Sequence, residues 1–245
     1  IRSQSAIKAF QEHTREEFLN KLIHVPSFQT VIVSSEHNFL RLITLDEIES
    51  LASFLRPLFR QIDIICYLRN PIDYIPSMYS TIIKTGSEQE FSEYFKKVSK
   101  RSLNFDKLFL WGDVFGDANM QVRLFQESSL YRGSIVSDFL QSCRIDCFFP
   151  RNLKLENPAL SKKNLNLVRH INRFTPESVR GKLVIEQTRS LMIRYLEKQG
   201  GQKVKLSATQ KEYIYEAHSE LLQKIRDRFF IGRESDFNES IMTHK

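Results

Sequence analysis

The chain is poor in cysteine and has no long apolar run. Its cysteines, Cys66, Cys143 and Cys147, are odd in number and form no dense framework, which argues against a disulfide scaffold. Cys143 and Cys147 are separated by three residues with no second Cys or His pair nearby, so the spacing gives no zinc site. Cys66 lies in an apolar run and reads as a small core residue. No segment reaches the roughly 18 apolar residues of a membrane span, and no signal-peptide pattern is visible. The expectation is a soluble, cytoplasmic protein. Internal repeats and low-complexity tracts are absent as well. Lys and Arg are spread along the whole chain rather than gathered in one patch, so no nucleic-acid partner is expected.

What remains is ordinary for a globular enzyme-sized domain. The 245 residues allow one large α/β domain or two small ones, and 41% hydrophobic residues supply a core without staples. The formal net charge of +7 favours an anionic partner: a nucleotide, an acidic glycan, nucleic acid or a membrane surface.

Read in order, the first residues have weak helical character, and Thr14 with Glu17 spells a capping box opening a helix through Ile23. Thr30–Ser34, TVIVS, is a continuous apolar run that predicts a strand. Thr44 with Glu47 is a second capping box, and Leu45, Ile48, Leu51, Ala52 and Leu55 share the face of the helix it starts. The run Ile62–Leu68 predicts another strand, so 30–68 reads as a βαβ unit with parallel strands. Further on, Met120–Phe125 predicts a strand and Ser134–Cys143 a helix. The spans 162–173, 183–198 and 208–229 read as helices, the last opened by a Ser207–Gln210 capping box. The pattern is α/β with a helical C-terminal third.

The stretch Gln61–Gly86 organises the rest. After the strand come Arg69, Asn70 and Pro71, and Pro71 suits the first turn of a helix. Tyr74, Ile75, Met78, Ile82 and Ile83 recur at helical spacing, and Gly86 stands where a left-handed residue would end that helix. Arg69 therefore leaves the carboxyl end of a strand, the edge where open α/β sheets bind ligands. Ser77 follows eight residues later, on the helix. A planar guanidinium fork with a hydroxyl is a good anion clamp, and phosphate is its usual guest. The same residues also admit a plain turn whose arginine pairs with a nearby carboxylate such as Asp73.

The segment CYLRNPIDYIPSMYS resembles the 3′-phosphate-binding segment of sulfotransferases that use 3′-phosphoadenosine 5′-phosphosulfate (PAPS). Those show a strand, R-[ND]-P, and a serine eight positions after the arginine, here Arg69, Asn70, Pro71 and Ser77. The likeness runs through roughly 30–240 and is closest in look to bacterial polysaccharide sulfotransferases. Trp111, Phe115, Gly116, Arg123, the Asp138-Phe139-Leu140 segment and Asn157-Pro-Ala-Leu-Ser161 also match the family's order.

The resemblance implies one sulfotransferase-like domain over 1–245, a P-loop-type three-layer fold with a central parallel sheet. Its nucleotide-binding core would span 30–150 and its helical part 151–245. It implies PAPS as co-substrate, a hydroxyl of a carbohydrate as acceptor, and no metal. Arg69 and Ser77 would hold the 3′-phosphate. The catalytic base would be Glu36 or His37, just after the TVIVS strand, with Glu36 preferred slightly. Arg123 would either meet the nucleotide or make a strand-end ion pair.

One family feature is missing. No Gly-rich phosphosulfate loop of the P-K-[ST]-G-T-[ST] kind precedes Thr30. Lys84-Thr85-Gly86-Ser87 matches it by letters only, since it lies at a helix end, and reads as a C-cap. Either the loop precedes Ile1 or the protein lacks it and is inactive; the first is preferred. Two other readings stand beside the resemblance. A kinase-like phosphotransferase needs a magnesium-binding carboxylate at a strand end, whereas Asp63 begins its strand. A non-catalytic module for polyanions or glycans needs only the basic charge.

Overall fold

The apolar run after Gln61 forms β1 (Ile64–Leu68), and in this computed structural model β1 pairs in parallel with β2 (Met120–Leu124). Ile64 lies opposite Met120 and Leu68 opposite Leu124. Beyond the paired residues, the Phe125 N–H donates to the Leu68 carbonyl at 2.8 Å. The structure describes residues 4–26, 29–35, 39, 41–99, 103–146, 158–174 and 183–242. Its contacts divide into two units, 1–41 and 42–245.

The smaller unit holds α1 (Gln4–Leu22). This helix starts well before Thr14, so the expected capping box there does not form. Thr14 instead turns its hydroxyl back and donates to the Phe10 carbonyl at 2.8 Å, as a threonine inside a helix does. Residues 30–34 do not form the expected strand. Ile32 and Val33 are 45% and 61% exposed. A continuous apolar run becomes a strand when both faces are buried and a ladder partner is present. These side chains face solvent, so the expected βαβ unit lacks its first strand.

In the larger unit α2 (Leu45–Leu55) opens on the predicted capping box. The Glu47 N–H donates to Thr44 Oγ1 at 3.3 Å, and the Thr44 N–H donates back to Glu47 Oε2 at 3.1 Å. Ile48 and Ala52 are fully buried on its inner face. The connection from β1 to β2 runs through α3 (Pro71–Lys84), α4 (Phe91–Val98) and α5 (Lys107–Phe115). A parallel pair requires such a long helical crossover, so the class is α/β. Among the described residues the sheet has two strands. α6 (Ile135–Ser142) follows β2, and the C-terminal third is helical: α7 (Lys162–Phe174), α8 (Leu183–Lys198), α9 (Ala208–Phe229) and α10 (Glu234–Phe237). A single π-helical turn, Asn238–Met242, continues α10. The Ser207–Gln210 capping box is present at the start of α9. Ile75 and Ile83 of α3, Val122 of β2 and Leu222 and Ile225 of α9 belong to the fully buried core.

His218 on α9 is a weak point of that core. It is 5% exposed, and among the described residues its Nε2 has no hydrogen-bond partner. Burial lowers its pKa below the ordinary histidine value, against a smaller opposing effect from a hydrogen bond to the Ser99 backbone. The unfolded chain takes up this proton from about pH 6.5 downward, the folded chain only at lower pH. Stability should therefore fall as pH drops below about 6.5, until the folded ring also protonates. His218→Gln keeps a polar group near Ser99 and removes the titration. Its melting temperature should drop less than the parent's between pH 7.5 and pH 5.

Candidate functional site

Arg69 and Asn70 follow the last residue of β1, and Pro71 begins α3 directly. Asn70 is the N-cap: its side-chain oxygen accepts from the Ile72 N–H at 2.9 Å. The other end of α3 closes in a Schellman turn. The Ser87 N–H donates to the Ile82 carbonyl at 2.9 Å and the Gly86 N–H to the Ile83 carbonyl at 3.1 Å. Gly86 has φ +116, a conformation glycine takes without a Cβ penalty. So Lys84-Thr85-Gly86-Ser87 is a helix cap, as the sequence reading has it.

Between these ends lies the expected clamp. Arg69 Nη1 donates to Ser77 Oγ at 3.1 Å, across the first turns of α3. The guanidinium carbon stands 5.7 Å from the centre of the Phe125 ring, at the carboxyl end of β2. Phe125 meets the Tyr67 ring edge-on at 6.4 Å. Among the described residues no carboxylate pairs with Arg69, Asp73 included, so the alternative turn with an Arg69–Asp73 pair is not formed. A half-buried guanidinium with one hydroxyl partner and an aromatic neighbour keeps donors for an anion.

The helix that carries Ser77 is braced along its length. Ile75 and Ile83 are fully buried, and the buried Ser80 Oγ accepts from the Leu160 N–H at 3.1 Å. At its far end the Asn172 side chain donates to the Ile83 and Ser87 carbonyls at 2.9 and 2.8 Å. Arg189 of α8 reaches the same Ile83 carbonyl at 3.3 Å, placing a cation at the negative end of the helix. Lys84 pairs with Glu197 at 2.8 Å where both side chains are nearly buried. Pro76, inside α3, removes the N–H that the Ile72 carbonyl would otherwise take. The bracing at both ends holds the helix despite that loss.

Arg123 makes an ion pair. It grips Asp138 through Nε and Nη2 at 2.5 and 2.6 Å. Asp138 also accepts from the Tyr67 hydroxyl at 2.7 Å and from the Tyr131 N–H at 2.8 Å. Burial alone would raise the Asp138 carboxyl, but the hydrogen bonds from Arg123, Tyr131 and Tyr67 outweigh it and hold the group below the usual carboxylate range. Burial and the neighbouring carboxylate push the Tyr67 phenol up. The network joins both strands to α6 two residues before Arg69. Burial also pushes the Cys66 thiol in β1 up to about 12, which suits a core residue and not a nucleophile.

A cavity of 330 Å³ opens at the carboxyl end of β2. Gln126, Ser128 and Ser129 line it from the loop after the strand, and Arg233, Glu239 and Ser240 from the C-terminal segment. Among the described residues no group of three His, Cys, Asp or Glu side chains could hold a metal ion. No described helix is long and apolar enough to cross a membrane. Glu36 and His37, the expected base, lie outside the described residues, as do Cys147 and Asn157. Ser161, from the same link as Asn157, caps α7 by accepting from the Asn164 N–H at 3.3 Å.

Sequence reading placed Arg69 and Ser77 together but assigned no role to Asn70. An asparagine directly before a proline at a helix start is a legible N-cap signal. The cavity and the Tyr67–Arg123–Asp138 network carry no local signal, because their members are far apart in the chain.

No family model matches the chain. An uncharacterized protein of Archaeoglobus fulgidus is 34% identical over 143 residues, which cover 58% of this chain and 38% of that protein. The chain thus spans well under half the length of this relative. No solved structure matches.

Proposed function

We propose that the chain is part of a PAPS-dependent sulfotransferase that moves a sulfuryl group to a hydroxyl of a carbohydrate. The observation that carries this reading is the Arg69–Ser77 pair at 3.1 Å, at the carboxyl end of a parallel strand, with no carboxylate on the arginine among the described residues. The arginine and serine would hold the 3′-phosphate and so fix the nucleotide's register. Sulfuryl transfer is an in-line displacement, and correct placement of donor and acceptor supplies much of its acceleration. Glu36 or His37 would take the acceptor's proton, and no metal is needed for that step. The basic net charge of +7 suits both an anionic donor and an acidic glycan. The P-loop-type three-layer arrangement belongs to the same proposal, with β1 and β2 as two strands of its sheet. A kinase-like reading gains no support, since Asp63 stands at the amino end of β1 and bonds Gln61 there at 2.9 Å.

Adenosine 3′,5′-bisphosphate, the product nucleotide, tests the reading. At a hundred times its Kd it should stabilise the protein by about 2.7 kcal/mol and raise the melting temperature by several degrees. Arg69→Ala should abolish that rise, while Arg69→Lys should keep a fraction of it because a point charge replaces the fork. No rise in the parent protein would remove the proposal. Salt-sensitive binding of heparin-like polyanions that ignores Arg69→Ala would favour a non-catalytic glycan-binding module.

A further inference from the structure

Asn70 does more than cap α3. Its side-chain oxygen is used by the Ile72 N–H, and its amide nitrogen donates to the Ser240 carbonyl at 2.9 Å. The Ile241 carbonyl at 3.4 Å and the Tyr215 hydroxyl of α9 at 3.3 Å complete its surroundings. The residue after the clamp arginine therefore holds the π-helical turn Asn238–Met242, some 170 residues away in sequence. Ser240 and Ile241 are buried at this junction. Ser240 and Glu239 also line the cavity at the carboxyl end of β2, beside Gln126 and Ser129. Leu124 and Gln126, on either side of Phe125, line that cavity too, and the Phe125 ring lies under the Arg69 guanidinium. The clamp and the cavity thus share one strand end, and the C-terminal segment supplies a wall of the cavity.

We infer that Asn70 is a positioning residue that couples ligand binding at the Arg69–Ser77 clamp to docking of the C-terminal segment. A ligand that reaches from the clamp into the cavity touches the docked segment and binds that state better. By linkage it must hold the segment in place, and the held segment must raise the ligand's affinity by the same factor. Inorganic phosphate is small enough to occupy the clamp alone and should not act this way. The inference rests on the donor reading for its ligand, and on the Asn70 geometry for its mechanism.

Asn70→Asp separates the two roles of the side chain. A carboxylate still accepts the Ile72 N–H, and suits a helix N-terminus well. It cannot donate to the Ser240 carbonyl and places negative charge against it. At pH 7.5, amide exchange over 234–242 should rise about tenfold in the variant, and adenosine 3′,5′-bisphosphate should bind about tenfold more weakly, about 1.4 kcal/mol. Exchange at the first turn of α3, over 72–74, should stay close to the parent's, because the cap is kept. A lost cap would instead speed exchange over 72–74 as well. In the parent, the nucleotide should slow exchange over 234–242 and inorganic phosphate should not.

Unchanged exchange in Asn70→Asp overturns the tether. Faster exchange with nucleotide affinity intact overturns the coupling. Failure of the nucleotide to bind the parent protein sinks the donor reading and the coupling with it, while the tether is still decided by the ligand-free comparison of the variant with its parent.

Discussion

Arg123→Met is expected to cost about 3–5 kcal/mol of folding stability at pH 7. Asp138 is completely buried, and the Arg123 fork supplies the charge that offsets its carboxylate. Without it, a buried anion is left with the Tyr67 hydroxyl and the Tyr131 N–H. The converse change, Asp138→Asn, should cost less. The Arg123 side chain is 26% exposed and can turn its charge towards water. The order of the two losses is the diagnostic result of a denaturant titration, and equal losses would contradict the argument. In the parent the folded carboxyl lies below its ordinary value of about 3.9. Its contribution is therefore complete above about pH 4 and is lost as pH falls through the lower folded value. In Arg123→Met, burial acts on the carboxyl without the arginine to oppose it, so its folded pKa moves up. The stability gap between parent and variant should then narrow as pH falls towards 4. Both strands would loosen beside Arg69, so nucleotide binding should weaken together with stability.

The parts of this arrangement that sequence could show are those set by short spacing. Arg69, Asn70, Pro71 and Ser77 lie within one strand–turn–helix, and local rules place a guanidinium at the strand tip and a hydroxyl two turns along the helix. Two of the three capping boxes, at Thr44 and Ser207, form as written, because each sits where the preceding backbone is extended. The Thr14 box fails because the helix was already under way, and the same letters inside a helix mean a different hydrogen bond. TVIVS fails for a related reason. Apolar β-branched residues state a preference for burial, yet only a paired neighbour turns that preference into a strand. Asp138 shows the opposite limit. Its DFL segment is legible only as a resemblance, but the pairing with Arg123 and Tyr67 is a property of three elements brought together by packing. The partner of Arg123, left open by the sequence, is decided by that packing.

Phe230→Ala is the second change expected to act strongly. Phe230 and Phe237 are both fully buried, with ring centres 4.9 Å apart. Truncating the first leaves a cavity that should cost about 3–5 kcal/mol, or roughly 10 °C in melting temperature for a unit of this size. Arg233 would lose its seat at the same time, because its guanidinium lies 5.0 Å from the centre of the Phe230 ring. That guanidinium also reaches the Val122 carbonyl of β2 at 3.5 Å. The loss is therefore placed where the C-terminal segment meets the sheet. Phe229→Ala, one residue earlier, removes a less buried ring that packs at a tilt against Phe109 and beneath the Arg228 guanidinium, so it should cost less and leave the segment docked. Amide exchange over 234–242 distinguishes the two: it should accelerate in Phe230→Ala well beyond the global unfolding rate and not in Phe229→Ala. If Asn70 and Phe230 both act on nucleotide affinity by holding this segment, their effects cannot add. Once one of them has released it, the other has little left to release. The double variant should bind adenosine 3′,5′-bisphosphate about as weakly as the weaker single variant, and full additivity would mean that the two contacts support separate structures.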